Sequence, residues 1–458
     1  KVKKKDAESV LELERTEDIL AYLGAHRRDG QFICGFSMET ENMLENSRAK
    51  LAKKNVDMSQ FAGGLVVNSE GRPTIDALRS KLIAMGYPEN ISPDKGTLPA
   101  TISAVSPDFK MPQVWKTTLA VDYKLPVSFP MQVTVEGIFD KNVNAACISD
   151  WSIPSAGGFA RFNGADNRPI YPAGFRNNLA AFVLENTHKG YFWSANLMVT
   201  ARPAEWINLM ASYTHQVRKE ITGMPGSNAE SAFTYVPTSE GPNHIKLHNS
   251  QYLTPDRFVA SMQINDKCNN HYSFIYETWR GGYNYSYMTV NDMNGDGYNY
   301  DAIYVPTDAE VESGAFRFVS QDDQDRFMGF LHNNKSLSKY QGKYAEGYSV
   351  YNPWVHRVDF SYKHDFKLNI GSTKHTLQLG IDIKNLLNLF NSSWGVSKTL
   401  NSAIGSDARI LKYEGVDAQG IATFSTPSAI NADTKLFTPL HALGQCWNMG
   451  ITVKYIFN

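Results

Sequence analysis

The sequence predicts a mainly β fold: a partial transmembrane antiparallel β-barrel preceded by a short N-terminal α/β fragment. In KHTLQLGIDIKNLLNLF, residues 374–390, apolar and polar residues alternate, so a strand there would have one apolar and one polar face. The C-terminal stretch WNMGITVKYIFN alternates in the same way and has aromatic residues at both ends. Wide intervals rich in Gly, Pro, Asn and Ser separate such stretches. A soluble sandwich would also alternate, but long two-faced strands with wide loops favour a transmembrane barrel.

Length and composition narrow the functional classes. The chain has 458 residues, too many for one ordinary small domain, so we expect at least two units. Its formal net charge of -1 gives no electrostatic attraction to nucleic acid, and no nucleic-acid partner is expected. The 23 tyrosines and 24 phenylalanines suit the aromatic girdles of a barrel. The four cysteines have neither a metal-ligand nor a paired spacing.

The N-terminus KVKKKDAESV is basic, but no apolar segment follows it, so it does not predict a signal peptide. A barrel destined for an outer membrane needs such a peptide. We therefore expect the chain to be a fragment, or its beginning not to be the natural one.

The first 58 residues have a different character. A short strand is predicted at Val10–Leu13, and Thr16 can cap a helix that stops at Gly24. A second strand is predicted over 31–36, followed by a charged helix that ends near Lys54. The alternation of strand and helix is typical of a parallel-sheet, nucleotide-binding type of domain.

Three stretches of this segment, KVKKKD, LELERTEDILAYLG and GFSMETENMLENSRAKLAKKNVD, resemble the C-terminal part of phosphopantothenate-cysteine ligase, the synthetase half of a bifunctional coenzyme A biosynthesis protein. The resemblance covers residues 1–58. It implies that lysines of the first motif and of the later helix contact a nucleotide triphosphate, and that an aromatic residue lies near the base. The residues at those positions are Lys3, Lys4, Lys50, Lys54 and Phe36. The alternative is a solvated basic helix face.

The resemblance stops near Met58. The ligase family continues after Val56-Asp57 with an apolar strand and an asparagine-bearing turn, whereas this chain reads MSQFAGGLVVNSEGRP. The substrate-binding front of the ligase is also absent. We expect no enzyme activity from this segment and a misjoined or chimeric sequence near Met58.

From residue 59 onward the alternation predicts hairpins. MPQVWKTTLAVDYKLP forms the first strand of one hairpin, and a tight turn at Pro126 leads to the second. Residues 191–201 and 206–215 form another hairpin, and further strands are centred on Met262, Phe274 and Phe360. The intervals 141–190, 216–243 and 281–350 are predicted to be extracellular loops opposite short periplasmic turns.

These residues carry a second resemblance. DFKMPQVWKTTLAVDYKLP, NGDGYNYDAIYVP, YNPWVHRVDFSYKHDF, LQLGIDIKNLLNLFN and WNMGITVKYIFN, in this order, resemble the C-terminal part of a TonB-dependent outer-membrane receptor of the Oar-like type, which has a carboxypeptidase-regulatory-like domain. The resemblance covers residues 59–458. It implies a barrel in outer-membrane lipid, passage of a bulky solute, and coupling to the TonB complex through a plug that would lie upstream. A surface lipoprotein is a further possible partner.

The sharpest local motif of this part is DMNGDGYNYD. Asp292, Asn294 and Asp296 are spaced as the first three oxygen ligands of a calcium loop, the Tyr298 carbonyl can add a ligand, and Asp301 can close the site. Ile303 stands where an EF-hand has its bidentate glutamate. Calcium is therefore a candidate cofactor, and the alternative is a plain turn held by Asx and Gly residues.

Other polar clusters carry weaker signals. His244 and His248 lie four residues apart, which on a strand does not make a zinc site. Arg357, Asp359 and Lys363 are expected to line the lumen, as a surface on which a plug rests. The acidic residues 322–325 are expected to be a solvated loop. The function predicted is solute passage at the cell outer membrane without covalent chemistry; the alternatives are a coenzyme A biosynthesis ligase and a surface adhesion or structural barrel.

Overall fold

The computed structural model describes residues 25–26, 34–36, 58–60, 66–68, 83 and 101–458, without 155–157, 176–178, 222, 225, 372, 406 and 458. The chain divides into two compact units, Lys1–Leu98 and Pro99–Asn458. The predicted boundary between residues 58 and 59 falls inside the first of these units and stays a prediction.

Three short strands are described in the first unit: β1 (Cys34–Phe36), β2 (Met58–Gln60) and β3 (Val66–Asn68). β1 pairs with β2 in parallel, and β3 pairs with β2 antiparallel. A parallel pair requires a long crossover connection, which agrees with the predicted α/β character. Lys3, Lys4, Lys50 and Lys54 lie outside the described residues, as do the two predicted helices. Phe36 is the last residue of β1.

The second unit is mainly β, as predicted. Its strands, in chain order, are β4 (Thr101–Val105), β5 (Gln113–Lys124), β6 (Met131–Asp150), β7 (Ala180–Thr187), β8 (Tyr191–Ala204), β9 (Ile207–Glu220), β10 (His248–Asn249), β11 (Asp256–Asn265), β12 (Asn270–Arg280), β13 (Asn284–Tyr285), β14 (Tyr287–Thr289), β15 (Tyr304–Val305), β16 (Arg317–Phe318), β17 (Lys343–Tyr344), β18 (Val350–Tyr351), β19 (Val355–Ile370), β20 (Thr373–Lys384), β21 (Lys398–Leu400), β22 (Ala408–Val416), β23 (Ala422–Ser425), β24 (Phe437–Pro439) and β25 (Asn448–Phe457).

The helices of this unit are short: α1 (Ala229–Thr234), α2 (Asp308–Glu312), α3 (Gln321–Asn333), α4 (Lys335–Ser338) and α5 (Leu386–Phe390), with 3-10 turns at Ser402–Ile404 and Leu443–Gln445. Within the described part of the chain, no helix combines the length and apolar character needed to cross a membrane.

Nine long strands form one antiparallel meander in the order β5, β6, β8, β9, β11, β12, β19, β20, β25. β7 continues along the same edge of β6 as β8, and β4 pairs with β7 in parallel. Short connections between β5 and β6, β8 and β9, β11 and β12, and β19 and β20 alternate along the chain with long segments. In the described residues the outer edges of β5 and β25 have no further strand beside them.

The register of the meander aligns side chains of one character across many strands. One apolar row runs from strand to strand through Val121, Val135, Leu197, Tyr213 and Phe258. The neighbouring row on the opposite face carries Glu136, Asn196, Thr214 and Arg257. Because successive side chains point to opposite faces, the alternation in sequence becomes one apolar and one polar surface.

The apolar face is largely exposed. Most of its large side chains are exposed, including Leu119, Val135, Leu379 and Ile451. The polar face instead makes side-chain hydrogen bonds, such as Ser212 Oγ to Asn196 Oδ1 at 2.7 Å and Gln378 Nε2 to Asp365 Oδ1 at 2.8 Å. A soluble sandwich would cover its apolar face with a second sheet, and no such cover packs on these exposed residues in the described part.

The predicted hairpins are confirmed. β5 pairs with β6 and β8 with β9, as predicted. The further strands predicted around Met262 and Phe274 are β11 and β12, which also form a hairpin. The prediction for residues 374–390 was wrong in its second half. The strand β20 ends at Lys384, Asn385 takes a left-handed conformation with φ 53°, and Leu386–Phe390 is the helix α5. After Asn385 the apolar residues come in adjacent pairs, Leu386-Leu387 and Leu389-Phe390, which do not alternate and so do not favour a two-faced strand.

The predicted wide loops were also too wide. β6 extends to Asp150, β7 begins at Ala180 and β9 extends to Glu220, so the sheet continues into the intervals 141–190 and 216–243. The interval 281–350, together with 398–439, forms a folded substructure, the loop module. Its small sheets are β14-β22-β23-β16, β13-β18, β15-β17 and β21-β24.

The loop module has its own hydrophobic core. Fully buried aromatic and aliphatic side chains meet there, among them Phe316, Phe327, Phe330, Leu331 and Phe424. Phe316 and Phe424 stack with ring centroids 4.6 Å apart. These contacts remove large apolar side chains from water, so the segment folds instead of remaining an open loop.

The acidic stretch predicted to be a solvated loop lies in helix α3. Ser320 caps this helix, with its side chain accepting a hydrogen bond from Asp323 N. The Asp323 carboxylate accepts a hydrogen bond from Thr426 N at 2.8 Å and pairs with Arg326 at 2.8 Å. Asp322 and Asp323 are acidic residues in the first turn, where the helix dipole favours negative charge.

Candidate functional site

The candidate cation loop connects β14 to β15 in the loop module. Asp292 holds its first turns: Oδ1 accepts a hydrogen bond from Gly295 N and Oδ2 accepts one from Gly297 N, both at 2.8 Å. Gly295 and Gly297 have φ values of 77° and 87°, which favour glycine over residues with a side chain. The glycines therefore allow the chain to wrap closely around the Asp292 carboxylate.

Asn294 and Asp296 continue the same winding. Asn294 Oδ1 accepts from Asp296 N at 3.1 Å, and Asp296 Oδ1 accepts from Tyr298 N at 2.8 Å. Both side chains are buried, each with 1% exposure. Asp296 Oδ2 and Asn294 Nδ2 have no hydrogen-bond partner among the described residues. Burial, reinforced by the nearby carboxylates of Asp301 and Asp292, raises the pKa of Asp296 to about 8.

Asp301 belongs to a buried ion network. Arg168 Nη1 donates to Asp301 Oδ1 at 2.9 Å, and the same guanidinium donates through Nε and Nη2 to Asp166, at 3.0 and 2.9 Å. Arg168 Nη2 also donates to Ala302 O at 2.7 Å, and Tyr344 donates its hydroxyl to Asp166. Asp301 Oδ2 accepts from Met293 N at 2.9 Å. Burial outweighs the attraction of Arg168 and raises the pKa of Asp301 to about 6.

The structure places the predicted oxygen ligands in one loop, but not all of them face a common point. Asp292 and Asp296 lie close enough to Asp301 to shift pKa values, whereas the Asp301 carboxylate itself faces Arg168. No group of three or more His, Cys, Asp or Glu side chains in the described residues is placed to hold a metal ion. Tyr298 lies beside the site, and its ring packs edge-on against Phe233.

Ile303 occupies the last position of the calcium-loop motif, where an EF-hand has glutamate. Its side chain is fully buried in the core of the loop module, where a carboxylate could not be solvated. Sequence reasoning missed Arg168 and Asp166. Arg168 lies 133 residues from Asp301, and a single arginine in a loop carries no local signal of its partner.

The three residues expected to line a lumen, Arg357, Asp359 and Lys363, lie on the polar face of the meander. Asp359 accepts a hydrogen bond from Asn385 N at 2.8 Å, and Arg357 donates to Gly395 O and Gln445 Oε1 at 3.0 and 2.7 Å. Lys363 lies 4.0 Å from Asp382. These contacts show that part of the lining anchors the segment after β20.

The two histidines do not form a pair. His248 is buried in β10, where its Nδ1 lies 2.8 Å from Asn249 O and its ring packs edge-on against Tyr348. His244 is exposed.

A tyrosine-lined cavity of about 250 Å³ opens beside the loop module. Its walls include Tyr235, Tyr252, Tyr283, Tyr300 and Tyr348, together with Asp407. Burial raises the pKa of Asp407. A larger cavity of about 470 Å³ shares Gln251, Tyr252 and Tyr348 with it and reaches Arg218 and Glu220 at the end of β9. Aromatic rings with polar groups between them are typical of ligand-contacting surfaces.

The fold and this site define a mainly β chain, in which a two-faced antiparallel meander carries a folded loop module, while the described residues of the N-terminal unit include a small mixed sheet. Residues 1–70 match the model of the DNA/pantothenate metabolism flavoprotein C-terminal domain. Over 58 residues the chain is 45% identical to the coenzyme A biosynthesis bifunctional protein CoaBC of Bacillus subtilis (strain 168), and 41% identical to a cysteine/cysteine sulfinic acid decarboxylase of an unknown prokaryotic organism.

These matches confirm the predicted similarity of the N-terminal segment to the ligase half of CoaBC. They cover 13% of this chain, and 14% of CoaBC and 16% of the decarboxylase. Among solved structures, the outer membrane transporter YddB from Escherichia coli is similar with a TM-score of 0.35 and 10% identity, over 77% of this chain and 34% of that chain. At that TM-score the likeness carries no argument, so the assignment of faces rests on the strand register.

Proposed function

We propose that residues 59–458 form part of the wall of an outer-membrane transporter of the TonB-dependent type, which binds a bulky solute and lets it pass. The observation that carries the proposal is the exposed apolar face of the meander. Apolar side chains on nine adjacent strands would face lipid, while the polar and charged face would line an aqueous interior. Hydrocarbon would then cover the surface that the described residues leave uncovered.

The arrangement of the connections supports an orientation. Short turns lie at one end of the strands, and the long segments that build the loop module lie at the other. In barrels of this class, short turns face the periplasm and long loops face the outside. The loop module and the tyrosine-lined cavity would then be where solute first makes contact, and Tyr252 and Tyr283 would present exposed rings to it.

The resemblance to Oar-like receptors extends the proposal to partners. Energy would come from the TonB complex through a plug domain, and a surface lipoprotein is a candidate partner at the outer end. Transport of this kind needs no covalent chemistry, so the proposed protein is not an enzyme in this part.

The first test is membrane integration of the full chain. The chain is unfolded in urea and diluted either into buffer or into vesicles of outer-membrane-like phospholipid. We expect it to float with the vesicles, to resist extraction by alkaline carbonate, and to migrate differently on gels before and after heating. A chain that folds in buffer and stays there as a soluble protein would refute the membrane assignment.

The second candidate function is coenzyme A biosynthesis, favoured by the match of residues 1–70. Its test is nucleotide-dependent ligation of cysteine to phosphopantothenate by the full chain, and we expect no product.

Energy coupling distinguishes an adhesion role from solute uptake, because adhesion survives loss of TonB whereas uptake does not. In an uptake assay, alanine at Tyr252 and Tyr283 should lower uptake without changing vesicle flotation.

A further inference from the structure

The loop between β14 and β15 contains a buried carboxyl group whose oxygen atoms the protein does not fully satisfy. Asp296 is 1% exposed and its Oδ2 is without a hydrogen-bond partner in the described residues. A buried carboxylate oxygen without a partner is unfavourable, because it has lost water and gained nothing in exchange. A ligand from outside the protein chain would stabilise this oxygen atom.

Arg168 does not fill this role. Its guanidinium is already engaged by Asp166 and Asp301 at 2.9 Å each, and those two carboxylates exceed its single positive charge. The carboxyl groups of Asp292 and Asp296 lie close enough to Asp301 to raise the pKa of Asp296. Across the part of the chain that is described, no second cation lies within salt-bridge distance of these four carboxylates.

Side chains with oxygen atoms recur at short intervals along this loop. Asp292, Asn294 and Asp296 occur at every second residue, and each of the three side chains accepts a hydrogen bond from a backbone N–H two or three residues later. A carboxylate oxygen that accepts one hydrogen bond still has a free lone pair, so these bonds do not prevent metal ligation. Calcium takes carboxylate, amide and backbone oxygens together with water, and it does not require three carboxylates.

We propose that this loop binds Ca²⁺, with Asp292, Asn294 and Asp296 as side-chain ligands, and that Arg168 holds Asp301 behind the site as a positioning partner. Ligation would engage the unpartnered Asp296 Oδ2. The bound ion would tie the loop to the core of the loop module through Met293 and Ile303, both buried in that core. This inference does not depend on transport, and it holds or fails whether or not the meander enters a membrane.

The test is calcium binding by the full chain in detergent micelles after treatment with a chelator. Terbium luminescence excited through tyrosine gives the first readout, since Tyr298 and Tyr300 belong to the loop, and calorimetric titration with Ca²⁺ gives the affinity. We expect saturable binding with a Kd on the order of 10⁻⁵ to 10⁻³ M, and Mg²⁺ to bind more weakly. Asp296→Asn should weaken Ca²⁺ binding at least tenfold.

Asp433→Asn is the matched control, because Asp433 is an exposed carboxylate of the loop module. It should leave Ca²⁺ binding unchanged. If Asp296→Asn fails to fold, Asn294→Ala and the trypsin resistance of the wild-type loop module with and without Ca²⁺ provide the answer. The proposal is overturned if the wild-type chain shows no saturable binding up to about 5 mM Ca²⁺, or if Asp296→Asn and Asp433→Asn bind alike.

Discussion

The assignment of the two faces of the meander makes a sharp prediction at adjacent residues of β20. Leu379 lies on the apolar face and is 39% exposed, whereas Gln378 lies on the polar face and donates to Asp365 at 2.8 Å. The two residues occupy the middle of a strand that runs from Thr373 to Lys384. We compare Leu379→Arg with Gln378→Arg, which introduce the same charge one residue apart.

The expected magnitudes differ because the surroundings differ. An arginine facing lipid near the middle of a bilayer costs about 2–4 kcal/mol, a change in folding equilibrium of about 30- to 900-fold. At Gln378 the new guanidinium lies beside the Asp365 carboxylate on a polar surface, and we expect a change below about 1 kcal/mol. In a soluble protein Leu379→Arg would also be nearly neutral, since its side chain is already partly exposed to water.

The assay is urea-dependent folding into lipid vesicles, followed by the fraction of chain with heat-modifiable gel migration. The free energy of unfolding is obtained for the original chain and both variants at one lipid concentration. Equal effects of the two substitutions, or a greater loss with Gln378→Arg, would show that the apolar face does not contact lipid, and the reasoning from strand register would be wrong.

Three further predictions concern the loop module and the final strand. Arg168→Met should lower the stability of the loop module by about 3–5 kcal/mol because it leaves buried carboxylates unpaired; limited proteolysis with urea measures this, and Lys435→Met, at an exposed lysine of the loop module, is the control. In chelator, thermal stability should fall as pH rises from about 4 to 8, because the raised pKa values of Asp301 and Asp296 make the folded state hold protons that the unfolded chain has released. A flat profile contradicts this, and Asp296→Asn should flatten its upper part. Removing Phe457, which ends β25 with an exposed ring, should block membrane insertion, and normal insertion of the shortened chain would count against the barrel.

The long strands were predictable because their determinant is local. A period of two over ten or more residues, as around Val121 or Val453, requires no knowledge of the partner strand. The pairing followed from short turns, since chain-adjacent strands joined by a few residues pair antiparallel. The strand prediction failed from Asn385 onward. Asn385 takes a left-handed conformation and a short helix follows it, although the stretch stays as apolar as the strand before it.

The loop module was not predictable, because its determinants are not local. β14 pairs with β22, and Met288 lies opposite Arg409, more than a hundred residues away in the chain. Strands of two or three residues give no period to detect, and their stability comes from the shared core around Phe327. The same holds for the candidate site: Asp292 and Asp296 stand out by spacing, whereas Arg168 becomes visible only after folding brings it to Asp301.

If the meander lies in a membrane, its two edge strands need further hydrogen-bond partners. β5 pairs with β6 and β25 pairs with β20, and the described residues place no strand on the other side of either. In hydrocarbon an unpaired row of backbone N–H and C=O groups costs several kcal/mol per group, so an open sheet does not persist there. If the apolar face contacts lipid, each edge must therefore receive a hydrogen-bonded neighbour. On the proposed function, each edge would therefore pair with a further strand, which a second copy of the chain can supply in the vesicle assays, and the nine strands would form one arc of a larger closed wall.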